Sequence, residues 1–217
     1  MKKLRIVFKF DDFFSPNAKV RRIDRFIRIF RVKITWGIIG KAAEQWSNGD
    51  VLWAKRALAS GCYHFWNHGY THESGEFSTL SPAEAVSHIK RTENVVRDLL
   101  GVEMQTFGAP CNAFSASTAR AVRECAAIRY WFFGDKSFDG CLMRGADMEW
   151  PCGNPSLLKC LRSVRECHLP YVVLQGHPNG WGFSRRVTFY LLVIVFRLKG
   201  YTFCFPNEVI DTDKEQV

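Results

Sequence analysis

Residues 8–14 read FKFDDFF, a strand-like alternation that runs into two adjacent aspartates and then into two more phenylalanines. Upstream, residues 4–10 alternate apolar and basic side chains in the manner of a β-strand, so the acidic pair falls where that strand ends. Two further segments share this form. FWNHGYTH at residues 65–72 carries His68 and His72 after an aromatic run, and YVVLQGHPNGW at residues 171–181 carries His177 after a β-branched one. In a barrel of parallel strands alternating with helices, the C-terminal strand ends share one face, where residues distant in sequence meet. The common placement of the three segments points to one site.

The rest of the chain fits such a barrel. Ser15-Pro16 opens a helix with Val20, Ile23, Ile27 and Phe30 on one face, and residues 32–39 read as a second strand. A short helical pattern at 53–59 precedes a strand at 62–66. Ser81, Pro82 and Glu84 form a capping-box start for a helix that continues to Leu100 and stops at Gly101. Strands at 104–107, 128–133, 171–175 and 201–205 alternate with helices at 117–125, from Asn154-Pro155 to about Glu166, and at 187–198. This order predicts an α/β fold, a distorted (β/α) barrel with about seven parallel strands, in one domain over residues 1–217 with 207–217 a loose tail.

Composition bounds the function. Of 217 residues 47% are hydrophobic, enough for a full core. Residues 1–60 hold 14 Lys/Arg against 5 Asp/Glu, whereas residues 61–217 hold 16 of each, so the net +9 comes from the first quarter. That asymmetry suits an acidic partner such as a phosphorylated or lipid-linked ligand, or peripheral contact with an anionic membrane surface. No recognisable nucleic-acid-binding module is present, and nucleic acid is not an expected partner. The eight cysteines are scattered without a CxxC pair, which reads as reduced thiols in a cytoplasmic protein. The start, MKKLRIVFKFDD, reaches its aspartates before an apolar signal core forms, and the longest apolar run, 187–196, is about half of a bilayer span.

Asp12, His68 and His72 supply one carboxylate and two imidazoles, the donor set of a catalytic zinc-like ion with a position left for water. Asp11 is then available as a general base, because a cation held by one carboxylate relieves the repulsion between the two. His177, before the turn Pro178-Asn179-Gly180, suits a proton donor. Each also has a structural reading: a capped turn for the aspartates, ordinary surface or core positions for the histidines. Trp66, Trp150 and Trp181 suit either stacking on a sugar ring or the core.

These segments together resemble the polysaccharide deacetylase family, also called the NodB-homology group or carbohydrate esterase family four. FKFDDFF is similar to its first motif, HGYTH within HGYTHESGEF to its H-x-x-x-H motif, FGAPCNAF (107–114) to its third motif, and LQGH (174–177) to its last. The resemblance spans residues 4–205 and implies a hydrolase that removes an acetyl group, usually an N-acetyl on a sugar. It implies Asp11 as catalytic base, Asp12, His68 and His72 as ligands of a divalent metal, most often Zn, His177 as catalytic acid, and the backbone N–H of Cys111 as oxyanion donor. Two departures stand out. Gly108 occupies the stretch where many members carry an arginine that orients the base, and the acidic residue that supports the acid is matched loosely by Asp147-Met148-Glu149-Trp150. Alternatives are a related metal-dependent hydrolase of C–N bonds in non-sugar amides, and a barrel that binds a glycan without turnover.

Overall fold

In the computed structural model, residues 4–149 and 155–210 are described. The chain runs β1 (Arg5–Phe13), α1 (Ala18–Ile29), β2 (Ile34–Ile38), α2 (Gly40–Ala43), α3 (Asn48–Ala59), β3 (Tyr63–Asn67) and α4 (Glu76–Thr79). It continues with α5 (Pro82–Leu100), β4 (Thr106–Phe107), α6 (Ala116–Glu124), β5 (Tyr130–Phe132), β6 (Cys141–Met143) and β7 (Gly145–Asp147). The last elements are α7 (Leu157–Glu166), β8 (Tyr171–Gly176), α8 (Phe183–Leu198), β9 (Thr202–Phe203) and α9 (Pro206–Ile210).

Every strand pairing is parallel, in the order β6-β5-β4-β3-β2-β1-β8-β7, with β9 joining β1. Only Arg144 separates β6 from β7. The first half of that segment pairs with β5 and the second with β8, so it nearly closes the ring. The fold is therefore a distorted (β/α) barrel; among the described residues, counting 141–147 as one broken strand gives eight strands against the seven or so expected, the broken strand being the addition. Closure depends on Gly145, where a Cβ would lie 1.8 Å from the Val173 carbonyl oxygen.

Period-two alternation along β1 sorts its side chains. Ile6, Phe8 and Phe10 pack outward against the helices with Phe189, Leu192 and Phe196, while Val7 faces the barrel interior with Trp66, Phe132, Met143 and Val173. Lys9 is also wholly buried, contrary to the solvent-facing role that a basic residue in an alternating strand suggests.

Local signals act largely as expected. Ser81 and Glu84 form the predicted capping box, and Gly101 ends α5 in the left-handed region. The start of α1 is corrected: Asn17, not Ser15, caps it by accepting from the N–H groups of Lys19 and Val20. Val20, Ile23 and Ile27 are buried, but Phe30 is 39% exposed. The first four residues of the expected tail, 207–210, belong to the helix Pro206–Ile210, and residues 211–217 lie outside those described. Asn154 and Trp150 do so too. Trp66 and Trp181 are fully buried and belong to the core, which removes them as sugar-stacking platforms. Among the described residues no helix is long and apolar enough to cross a membrane.

Candidate active site

The acidic pair sits on a β-bulge. Phe10 pairs with Trp36 and Phe13 with Ile38, so β1 carries one residue more than β2 across this interval. In a regular strand neighbouring side chains point to opposite faces; the extra residue releases that constraint. Asp12 takes a left-handed φ of 61°. The Trp36 indole N–H donates to the Asp11 carbonyl at 3.0 Å, and the Asn179 amide donates to that of Asp12. Asp11 and Asp12 can thereby face the same barrel mouth.

His68 follows β3. Its backbone N–H donates to the Ile38 carbonyl at 2.9 Å, and its Nδ1 lies 2.7 Å from the Gly108 carbonyl, leaving Nε2 directed at the aspartates. That Nε2 is 3.3 Å from Asp12 Oδ1 and 4.0 Å from Asp11 Oδ2. The loop then turns at Gly69, with φ of 80°, where a Cβ would also collide with the Glu76 carboxylate at 2.8 Å. Glu76 is buried and accepts from the N–H groups of Tyr70, Thr71 and His72 at 2.8, 3.2 and 2.7 Å, with His88 Nδ1 at 2.7 Å. One carboxylate thus shapes the turn that brings His72 back, and His72 Nε2 reaches 2.8 Å from Asp12 Oδ1.

Asp12, His68 and His72 present ligand atoms that all lie within 4.8 Å of one another. Two donors bound at about 2.0–2.1 Å to a tetrahedral ion stand about 3.3–3.4 Å apart. The Asp12–His68 separation meets that, and the shorter Asp12–His72 hydrogen bond needs to open by only a few tenths of an ångström. The residues present fit a divalent cation. Burial works to raise the Asp12 pKa, but hydrogen bonds from His68 and His72 outweigh it and hold the carboxyl far below its usual range. Bonding to Asp12 raises His72, against the opposing effect of burial.

His177 completes the group, its Nε2 3.9 Å from Asp11 Oδ2. Its Nδ1 lies 2.8 Å from Glu149 Oε2, and its backbone N–H donates to Glu149 Oε1, also at 2.8 Å. The Trp181 indole N–H donates to the same Oε1. Asp147 instead accepts from the Glu149 backbone N–H at 2.7 Å, so Glu149 is the acid that faces the histidine. Burial disfavours the imidazolium, yet Glu149 together with the charges of Asp11 and Asp12 carries the His177 pKa up to about 9.

Cys111 lies in the 3-10 turn Pro110–Asn112 with φ of 56°, next to Asn112 at 53°. The Asn112 amide donates to Gln175 Oε1 at 3.0 Å, tying this turn to the end of β8. Of the six non-glycine residues with positive φ among those described, Asp12, His72, Cys111, Asn112 and Phe133 cluster around the barrel mouth. Strained backbone concentrates where side chains or N–H groups must be aimed. All six expected site residues therefore belong to one end of the barrel. Lys9, Glu76, Gln175 and Asn112 were not singled out by the sequence reading, although Glu76 lies in the most distinctive stretch, HGYTHESGEF.

A carboxylate and two imidazoles thus meet at the strand ends of a parallel barrel. The polysaccharide deacetylase sequence profile matches residues 1–129, more than half of the chain, and the protein belongs to that family. No curated protein matches its sequence. Among solved structures, it resembles a CE4 family pseudoenzyme from Bacillus anthracis with TM-score 0.71 at 19% identity, over 95% of this chain and 65% of that one. The chain thus spans just under two thirds of that relative's length. It resembles the peptidoglycan deacetylase PdaC from Bacillus subtilis with TM-score 0.70 at 15% identity, over 99% and 93% of the two chains. A family 4 acetyl xylan esterase from Clostridium thermocellum, in complex with a cobalt ion, aligns with TM-score 0.68 at 16% identity over 96% and 91%. At these identities the likeness concerns the fold.

Proposed function

We propose that this protein is a metal-dependent hydrolase that releases acetate from an acetylated amino sugar in a glycan or glycan precursor. The observation that carries the reading is the convergence of Asp12, His68 and His72, with Asp11 and His177 beside them, at one barrel mouth. A bound divalent ion, Zn by the donor set, supplies Lewis-acid polarisation of the acetyl carbonyl and a more acidic water. Asp11 takes the proton of the attacking water at Oδ2, the carboxylate oxygen that faces His68 and His177. The Cys111 N–H is the donor for the carbonyl oxygen as negative charge develops there. As the C–N bond breaks, His177 delivers its Nε2 proton to the departing nitrogen, and Glu149 keeps the ring charged and oriented. An amine leaving group requires that proton, which favours N-acetyl over O-acetyl substrates.

The basic first quarter divides by position. Lys19 and Arg22 are exposed near the start of α1, beside the His177 loop, where Asn17 meets Asn179 at 3.4 Å. That placement suits a phosphate on the substrate. At the far end of the barrel Ile29, Phe30, Ile194 and Leu198 form an apolar groove of about 480 Å³ flanked by Arg31 and Arg197, which suits an anionic membrane surface. Seven described cysteines are free, consistent with a cytoplasmic protein.

The reading is tested by measuring acetate release from N-acetylated sugar oligomers and sugar phosphates, before and after chelation and zinc restoration. Zinc-dependent release is expected; undiminished release from metal-stripped protein contradicts it. A second reading is a barrel that binds glycans without turnover, and the fold is also found in a CE4 family pseudoenzyme. Glycan binding with no acetate release from any acetylated sugar would establish that one.

A further inference from the structure

Lys9 makes contacts that the hydrolytic scheme does not use. Its side chain is wholly buried, projecting from β1 into the barrel interior. The ammonium lies 2.7 and 2.6 Å from the two carboxylate oxygens of Asp11 and 2.9 Å from Gln175 Oε1, with Asn112 Oδ1 at 3.3 Å. Above these acceptors it meets the rings of Trp66, Phe133 and Phe132 at 5.1, 5.2 and 5.8 Å. An ammonium removed from water is costly unless a counter-charge and acceptors surround it, and a carboxylate in the same place is equally costly alone.

We infer that Lys9 is the positioning residue for Asp11, holding its carboxylate turned toward the barrel mouth. The geometry supports this in three ways. Lys9 bonds both carboxylate oxygens from within the barrel, while Oδ2 also lies 4.0 and 3.9 Å from the Nε2 atoms of His68 and His177. Gln175 receives both the ammonium and the Asn112 amide, which couples the Lys9–Asp11 pair to the turn carrying Cys111. No side chain can reach Asp11 from position 108, because a Cβ on Gly108 would meet the Trp66 indole at 2.7 Å. The cation therefore arrives along β1, two residues before the carboxylate it serves.

The inference rests on the hydrolase reading above, and a double-mutant cycle separates the two. Zinc-loaded wild type, Lys9→Met, Asp11→Asn and the double variant are compared for kcat, KM and zinc Kd. Lys9→Met is expected to lower kcat about 100-fold, with KM and zinc Kd within about threefold of wild type, as removal of a group acting on the transition state should. In the Asp11→Asn background the same change is expected to cost less than about twofold, because its target is already gone. A merely structural lysine would instead lower activity by the same factor in both backgrounds, and that result overturns the inference. Should Lys9→Met fail to fold, Lys9→Gln, which keeps a donor but removes the charge, carries the same comparison. Lys9→Gln turning over at the wild-type rate overturns Lys9's role alone; a wild type that releases no acetate removes the hydrolase reading and Lys9's role with it.

Discussion

His177 and Glu149 form a two-point pair: one carboxylate oxygen faces the ring Nδ1 at 2.8 Å and the other accepts the backbone N–H of the same histidine at 2.8 Å. The second contact fixes where β8 ends, the first fixes how the ring turns and that it is charged. Because burial opposes the imidazolium, the pKa of about 9 depends on its carboxylate neighbours. In metal-free protein the His177 resonances should titrate near 9, and Glu149→Gln should bring the midpoint back toward about 6.5. The raised folded-state pKa contributes stability that is present in full below about 6.5 and is lost as pH rises through about 9. Denaturation measured across that window should show wild type losing the advantage and Glu149→Gln changing less. An unchanged midpoint in the variant would contradict the pairing.

Glu76 is the corresponding device for the metal-ligand loop. Glu76→Ala would leave the N–H groups of Tyr70, Thr71 and His72 without their acceptor, at about 1–3 kcal/mol for each one that water cannot reach. It should also weaken zinc binding about 10–100-fold, since outer-shell partners orient ligands. Titration calorimetry and urea unfolding measure both effects, and wild-type zinc affinity in the variant would count against the assignment.

Barrel closure should be sensitive to one atom. Gly145→Ala places a methyl group against the Val173 carbonyl at 1.8 Å, so β7 and β8 must separate. A loss of about 3 kcal/mol or more is expected in urea unfolding, at the upper end for overpacking. Tolerance within about 0.5 kcal/mol would mean that the ring is not joined there.

At the far end of the barrel, Leu198 is 82% exposed and Ile29 64%. Leu198→Glu should abolish sedimentation with anionic vesicles and leave acetate release unchanged, because the groove and the barrel mouth lie at opposite ends. Equal sedimentation with neutral and anionic vesicles would contradict the electrostatic part of this proposal.

The residues that hydrogen-bond close to home were the legible ones. Ser81, Glu84 and Gly101 act within one helix, and their spacing alone marked α5. The three strand-end segments were visible because parallel topology forces strand ends together, and Asp12, His68 and His72 do meet. Lys9 was not visible as a site residue, because an alternating strand treats a basic side chain as solvent-facing until the barrel's interior is known. β6 and β7 were missed because three-residue strands on either side of Arg144 carry too little periodicity; their partners, β5 and β8, decide them. Asn17 displaced Ser15 as the α1 cap because its side chain accepts from two N–H groups, a choice set by where β1 releases the chain.

The proposed cation is held by Asp12 from the end of β1 and by His68 and His72 from the loop after β3. X-ray absorption of the protein loaded with one equivalent of zinc addresses it directly. Nitrogen and oxygen ligands at about 2.0–2.2 Å, two of them imidazoles, are expected, and Asp12→Ala, His68→Ala and His72→Ala should each disrupt the set. Sulfur ligation at about 2.3 Å, or a shell unchanged by those substitutions, would contradict it.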